Sequence, residues 1–263
     1  MGNQPVSYLY LSKGRILLLS NTLDNGEHHH HALQISMALE DRPYLITHPG
    51  GTDCAELSII EPNYMHKINV VDTWHLLILI DAETDAARQI QERYLQLTNI
   101  ATPKQVDIDY CRQRMQHFVH NAQPIEEIDS AINDVVTRLT GPVLQQPYKD
   151  ERIDKVIKLI HQAGGQVIRV NSLARAVGLS PSRLSHLFKD VTDIPIKRYL
   201  LWYKLCQTGF KVCAGMSFTT AATEAGFADA AHYSRTFRKM FGMKPSQILR
   251  ENASVKIISD ISL

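Results

Sequence analysis

The sequence predicts an α+β chain in two parts: a small β-rich part with helices at its end, then an all-helical part holding two helix-turn-helix units. Three observations carry this. Short apolar or alternating runs fill the chain to about residue 80, and helical periodicity follows them. Charge divides the chain, with 10 Lys+Arg against 18 Asp+Glu in residues 1–140 and 18 against 9 in residues 141–263. Lastly, "TGPVLQQPYKD", residues 140–150, breaks the helical period with a glycine and two prolines. The expected division is a domain at 1–140, a linker at 141–150, a helical domain at 151–250 and a tail at 251–263.

The strand-like runs are "SYLYLS", "RILLLS", "ALQISMAL", "AELSII" and "WHLLILI", separated by Asn, Asp, Gly and Pro. Helices are expected at about 83–97, 104–120 and 124–140. The last is the clearest, because Ile125, Ile128, Ile132, Val135, Val136 and Leu139 recur at spacings of three and four. If that apolar face pairs two protomers, Ile128 and Val135, seven apart, form the seam. The face could equally pack on the protein's own strands.

After the linker, Asp150 can cap a helix over 151–163 whose stripe is Ile153, Val156, Ile157 and Ile160. Asn171 or Ser172 can cap a short helix with Leu173, Ala174 and Val177 inward. Gly178 then turns the chain, Ser180 caps again and Pro181 suits the first position of the next helix. In it Leu184, Leu187 and Phe188 face inward, leaving Ser182, Arg183, Ser185, His186 and Lys189 outside. This is a helix-turn-helix. A connecting helix over 196–213 follows, with Trp202 and Tyr203 expected in the core.

The grammar then repeats. Residues 219–225 are short and Ala-rich, Gly226 turns, and Asp229 caps a helix. Tyr233, Phe237 and Phe241 anchor it at spacings of four, leaving Ala230, Ala231, His232, Ser234, Arg235, Arg238 and Lys239 outside. The connecting helix, at 1.5 Å per residue, is about 25 Å long, enough to hold two such helices near the ~34 Å spacing of successive major-groove faces.

Other classes are less well served. No apolar run approaches the roughly 20 residues that span a bilayer, and no signal for export is present. Cys54, Cys111, Cys206 and Cys213 lack framework spacing, which fits reduced thiols in a cytoplasmic protein.

The motif Gly226-Phe227, Tyr233, Ser234-Arg235, Phe237-Arg238-Lys239, Phe241-Gly242, Pro245 and Arg250 resembles the AraC/XylS family of bacterial transcription regulators in order and spacing. So do Leu173-Ala174, Gly178 to Ser182, Leu184-Ser185 and Leu187-Phe188-Lys189 in the first unit; the resemblance covers about 150–250. Asp193 stands where the family has glycine, Gly209 interrupts the connecting helix, and Ala221 replaces a larger aliphatic residue. More weakly, "SIIEPNYMHKI" and "HHHHALQISM" resemble segments of the cupin-like sensor domain of such regulators, with few strands, as in a shortened barrel.

The resemblance implies a DNA-binding regulator with no catalytic residues. Base-readout candidates are Ser182, Arg183, Ser185, His186, Ala230, Ala231, Ser234 and Arg235, and phosphate candidates are Lys189, Arg238 and Lys239. Phe188, Gly226, Phe227, Tyr233, Phe237, Phe241, Gly242 and Pro245 are structural anchors. Expected partners are promoter duplex, RNA polymerase, a small-molecule effector and a second copy of the chain, with no membrane. The rival classes are a metal-dependent cupin enzyme fused to a DNA-binding module and a purely structural nucleic-acid binder.

His28 to His31, with His48, His66 or His75, invite a metal reading, in which only alternate members of the run could converge on one ion. No nearby glutamate completes a cupin metal set, so the expectation is solvated or strand-edge histidines, no metal and no cofactor.

Overall fold

The computed structural model describes residues 7–12, 14–21, 23–104, 106–119, 124–141, 150–164, 168–192, 194–248 and 255–259. Close packing divides the chain into two units, Met1–Gln145 with Phe237–Asp260, and Gln146–Thr236 with Ile261–Leu263. The expected linker at 141–150 and the departure at Asp193 fall almost wholly outside the described residues.

In the first unit the strands are β1 (Ser7–Ser12), β2 (Arg15–Ser20), β3 (Leu23–Asp24), β4 (Leu33–Ala38), β5 (Tyr44–His48), β6 (Gly51–Ala55), β7 (Leu57–Ile60), β8 (Lys67–Val70) and β9 (His75–Ile80). Helix α1 (Asp85–Tyr94), strand β10 (Ile100–Ala101), α2 (Ile108–Gln116) and α3 (Ile125–Thr140) follow. The second unit begins with α4 (Glu151–Gln162), α5 (Val170–Ala176), α6 (Pro181–Thr192), α7 (Ile196–Cys213) and α8 (Phe218–Glu224). Helix α9 (Ala230–Phe241) begins in the second unit, and α10 (Pro245–Ile248) and β11 (Val255–Ser259) belong to the first.

Two sheets result, one ordered β10-β7-β4-β9-β2-β1-β11 and one ordered β3-β8-β5-β6. This is more sheet than a shortened barrel. β11, in the region read as a tail, pairs parallel with β1; the other pairings are antiparallel. Strand β4 explains how the layers stack. All six of its residues are buried although its sequence alternates apolar and polar. Leu33, Ile35 and Met37 join a core with Ile78 and Ile80 of β9, Ile90 of α1, Met115 of α2 and Ile128, Ile132, Val135 and Leu139 of α3. Gln34 and Ser36 occupy the opposite face, because successive strand residues point to opposite sides.

That opposite face mixes buried polar groups with Leu77 and Leu79 of β9. Tyr44 Oη of β5 donates to Ser36 O at 2.8 Å and lies 2.7 Å from Ser58 Oγ. Arg112 of α2, almost fully buried, holds helix to sheet. Its Nε donates to Ala38 O at 3.0 Å, and its guanidinium meets Asp41 and Glu56 at 2.9 and 3.0 Å.

The α3 stripe takes the second of its two alternatives. Ile128 and Val135 are 0% and 1% exposed within the unit's own core, so they are not a seam between protomers. A sixteen-residue amphipathic helix found an internal partner in the sheet.

The second unit is built as its sequence indicates. Ile153, Val156 and Ile160 of α4 pack with Leu173, Ala174, Leu184, Phe188, Ile196 and Tyr199. Trp202 is buried, and Tyr203 Oη donates to His161 O at 3.1 Å. Asp150 caps α4 by accepting from Arg152 N at 3.0 Å. For α5 the expected cap is wrong. The helix starts at Val170, its cap position is Arg169 with no side-chain bond, and Asn171 and Ser172 lie inside it. Leu173 and Ala174 still face inward, because the apolar stripe fixes the helix without a side-chain cap.

Candidate functional site

Both turns of the helix-turn-helix units close by the same two hydrogen bonds. After α5, Gly178 N donates to Arg175 O at 3.1 Å and Leu179 N to Ala174 O at 2.9 Å. After α8, Gly226 N donates to Thr223 O at 2.9 Å and Phe227 N to Ala222 O at 3.0 Å. These are paired 5→2 and 6→1 closures around a left-handed residue. Gly178 and Gly226 have φ of +66° and +85°, where a side chain is strained.

Each turn delivers a capped helix. Arg183 N donates to Ser180 Oγ at 3.3 Å at the start of α6, and His232 N to Asp229 Oδ1 at 2.5 Å at the start of α9. On α6, Ser182, Arg183, His186 and Lys189 are exposed while Phe188 is buried. Ser185 is half-buried and its hydroxyl donates to Pro181 O at 2.8 Å, so its hydrogen goes to its own helix. On α9, Ala231, Arg235, Arg238 and Lys239 are exposed, and Ala230, His232 and Ser234 are half-buried.

The anchors sit on the other face. Tyr233 is 0% exposed, with its ring edge-on to Phe218 at 4.8 Å and to Phe227 at 5.2 Å. Burial pushes its hydroxyl well above the usual tyrosine range. The rings of Phe237 and Phe241 meet at a tilt, their centroids 4.5 Å apart. Gly242, at φ +70°, ends α9 with its N–H on Arg238 O at 2.9 Å, and the buried Pro245 opens α10. Arg250 lies outside the described residues.

The first unit holds a second constellation. His28, His30, His31, His66 and His75 are each 3% exposed or less, which corrects the expectation of solvated histidines. A backbone bridge explains the placement: His28 N donates to His66 O at 3.0 Å and His66 N to His28 O at 2.9 Å. Alternation then puts His28 and His30 on one side with His66, and sends His31 toward Glu83 at 3.4 Å. One ring nitrogen from each of His28, His30 and His66 lies within 4.8 Å of the others.

The other histidines stand apart. His48 is at the β5–β6 hairpin, 3.1 Å from Asp53, and His75 lies edge-on to Tyr44 at 4.5 Å. Burial lowers the imidazole pKa to about 4 at His28, about 3 at His30 and His75, and well below the ordinary value at His66. A cavity of about 70 Å³ lies beside the cluster, lined by Leu9, Leu18, Leu77 and Leu79, with Phe237 and Phe241 from the segment that packs in this unit. Gln34, which joins the cluster, was missed in the sequence. Its signal was the strand alternation that puts it on the same side as Ser36, opposite Ile35.

Residues 173–251 match the family described as "Helix-turn-helix domain". The chain is 30% identical over 100 residues to the Msm operon regulatory protein of Streptococcus mutans, covering 38% of this chain and 36% of that protein. It is 32% identical over 104 residues to the arabinose operon regulatory protein of Escherichia coli, covering 38% and 35%. The chain thus spans little more than a third of the length of these curated relatives. Among solved structures it is similar to ToxT from Vibrio cholerae, with a TM-score of 0.55 at 11% identity, covering 93% of this chain and 95% of that one. That likeness extends the shared fold over the β-rich unit as well as the helices. By the matched family and the paired glycine turns, residues 173–251 carry an AraC-type helix-turn-helix domain.

Proposed function

We propose that the chain is a transcription regulator whose α6 and α9 read successive major-groove segments of a promoter, while the first unit senses a signal. The observation that carries this is the repeated glycine turn before an exposed cationic helix. Such a second helix, entering the major groove, presents its outer residues to base edges. Arg183 and Arg235 are the base readers, each suited to bidentate contact with guanine, and Lys189, Arg238 and Lys239 meet phosphate. Among the described residues none of these five cations has an ion-pair partner, so each is available to a polyanion. Ser182 and His186 flank Arg183, while Ala230 and Ala231 offer only apolar contact, as to a thymine methyl.

The chain has no catalytic step in this reading. Binding alone is its output, and a ligand biases it by preferring one state of the protein. The buried polar groups of the first unit and its small cavity support a sensing role. So does the ToxT fold, one structure of which carries a bound unsaturated fatty acid. A second copy of the chain and RNA polymerase are the protein partners of this reading, and the cytoplasm its location.

The test is binding of the full chain to random duplexes, followed by sequencing of the bound fraction. A recurring sequence is expected, with affinity for it falling steeply as salt rises because phosphate contacts release counterions. Binding without any enriched sequence would leave a nonspecific nucleic-acid binder and remove the regulator reading.

A further inference from the structure

The geometry points to a divalent transition-metal site in the first unit, formed by Nε2 of His28, His30 and His66 and by Oε1 of Gln34. Each imidazole has its Nδ1 on a backbone carbonyl: His28 on Gly26 O at 2.9 Å, His30 on Ala32 O at 3.0 Å, His66 on Tyr64 O at 2.9 Å. A carbonyl only accepts, so all three rings carry their proton on Nδ1 and turn the Nε2 lone pair the other way. This is how metal-binding imidazoles are held by their surroundings, with tautomer and ring direction fixed before the ion arrives.

Two of those lone pairs meet another acceptor, and a ring nitrogen of His28 lies within 4.8 Å of theirs. His30 Nε2 and His66 Nε2 lie 2.8 and 3.1 Å from the same Gln34 Oε1, whose amide nitrogen donates to Ser36 Oγ at 3.0 Å. With the Gln34 amide in this orientation the acceptors face one another, and a cation between them would satisfy them all. Burial opposes a proton there, since the imidazoles are held well below their ordinary pKa. The spacing suits a metal: two ligands at about 2.1 Å from one ion stand about 3.0 to 3.4 Å apart in octahedral or tetrahedral geometry. Three imidazoles and an amide oxygen, without thiolate or carboxylate, select a borderline divalent ion such as zinc, nickel or cobalt over magnesium or calcium.

The same four groups can also close without an ion. With the Gln34 amide turned over, its –NH₂ donates to both rings and Ser36 donates to its oxygen. Titration separates the two arrangements. The full chain, stripped with a chelator, is titrated with Zn²⁺ by calorimetry and with Co²⁺ by visible absorption, without DNA, so that a failed DNA-binding reading does not touch the result. The site predicts one equivalent per chain, with cobalt bands of imidazole–oxygen coordination. His30→Ala and His66→Ala should each weaken binding at least 100-fold with an unchanged far-UV spectrum, and His48→Ala should leave it intact. Gln34→Glu, which supplies a carboxylate in place of the amide, should tighten it at least tenfold. That variant decides the matter if the alanine variants unfold. No stoichiometric binding by the wild-type chain, binding that survives His30→Ala and His66→Ala, or a Gln34→Glu affinity equal to wild type would each overturn the site.

Discussion

Arg235 and Lys239 lie one helical turn apart on the exposed face of α9, and they should fail differently. Removing a bidentate arginine–guanine contact costs about 1–3 kcal/mol at the right sequence and relaxes preference at that position. Arg235→Ala should therefore lose affinity for a selected site while keeping most of its affinity for unrelated duplex. Lys239→Ala should weaken both alike and shallow the salt slope by about one counterion. Anisotropy titrations at several salt concentrations distinguish them, and equal losses on all sequences for Arg235→Ala would remove it from base readout. A second residue-scale effect concerns acid. His28, His30, His66 and His75 are held neutral by burial, below the ordinary value of 6.5. The unfolded chain then takes up protons first, so stability is full above pH 6.5 and lost as pH falls toward 4. Near-UV dichroism of the metal-free protein should record a falling thermal midpoint over that window, and a flat one would contradict the burial.

Elements bring out how far sequence logic reached. The Gly178 and Gly226 turns were legible because only a left-handed residue closes a helix that way, and glycine declares it. Gly178→Ala meets no atom within 4 Å, so its effect is backbone strain alone. It should lower the urea stability of the second unit by about 1 kcal/mol, followed through Trp202 in a Trp74→Phe background. By contrast β6, "GTDCA", was not legible. All its residues but Ala55 are exposed, so no apolar alternation marks it, and only pairing with β5 makes it a strand. The α3 stripe was visible but its partner was not, since periodicity reports that a face is buried and says nothing of what covers it. Ile128→Glu with Val135→Glu should accordingly unfold the first unit, seen as loss of its near-UV signal. A folded protein of altered mass would return those residues to a protomer seam.

At the scale of the molecule, charge and chemistry divide in the same way. The acidic portion holds the buried histidines and every described strand but β11; the basic portion holds the repeated turns and the exposed cations. The histidine cluster was half legible, because alternation identified His28 and His30 but not the bridge that brings His66, from 36 residues beyond His30, against them. The central claim is that two helices each read their own segment of duplex. The most direct measurement is sequence selection from a random duplex library by the full chain and by its Arg183→Ala and Arg235→Ala variants. The wild type should enrich two short blocks about one helical turn apart, with Arg183→Ala relaxing one block and Arg235→Ala the other. A single enriched block, or two blocks indifferent to both substitutions, would contradict it.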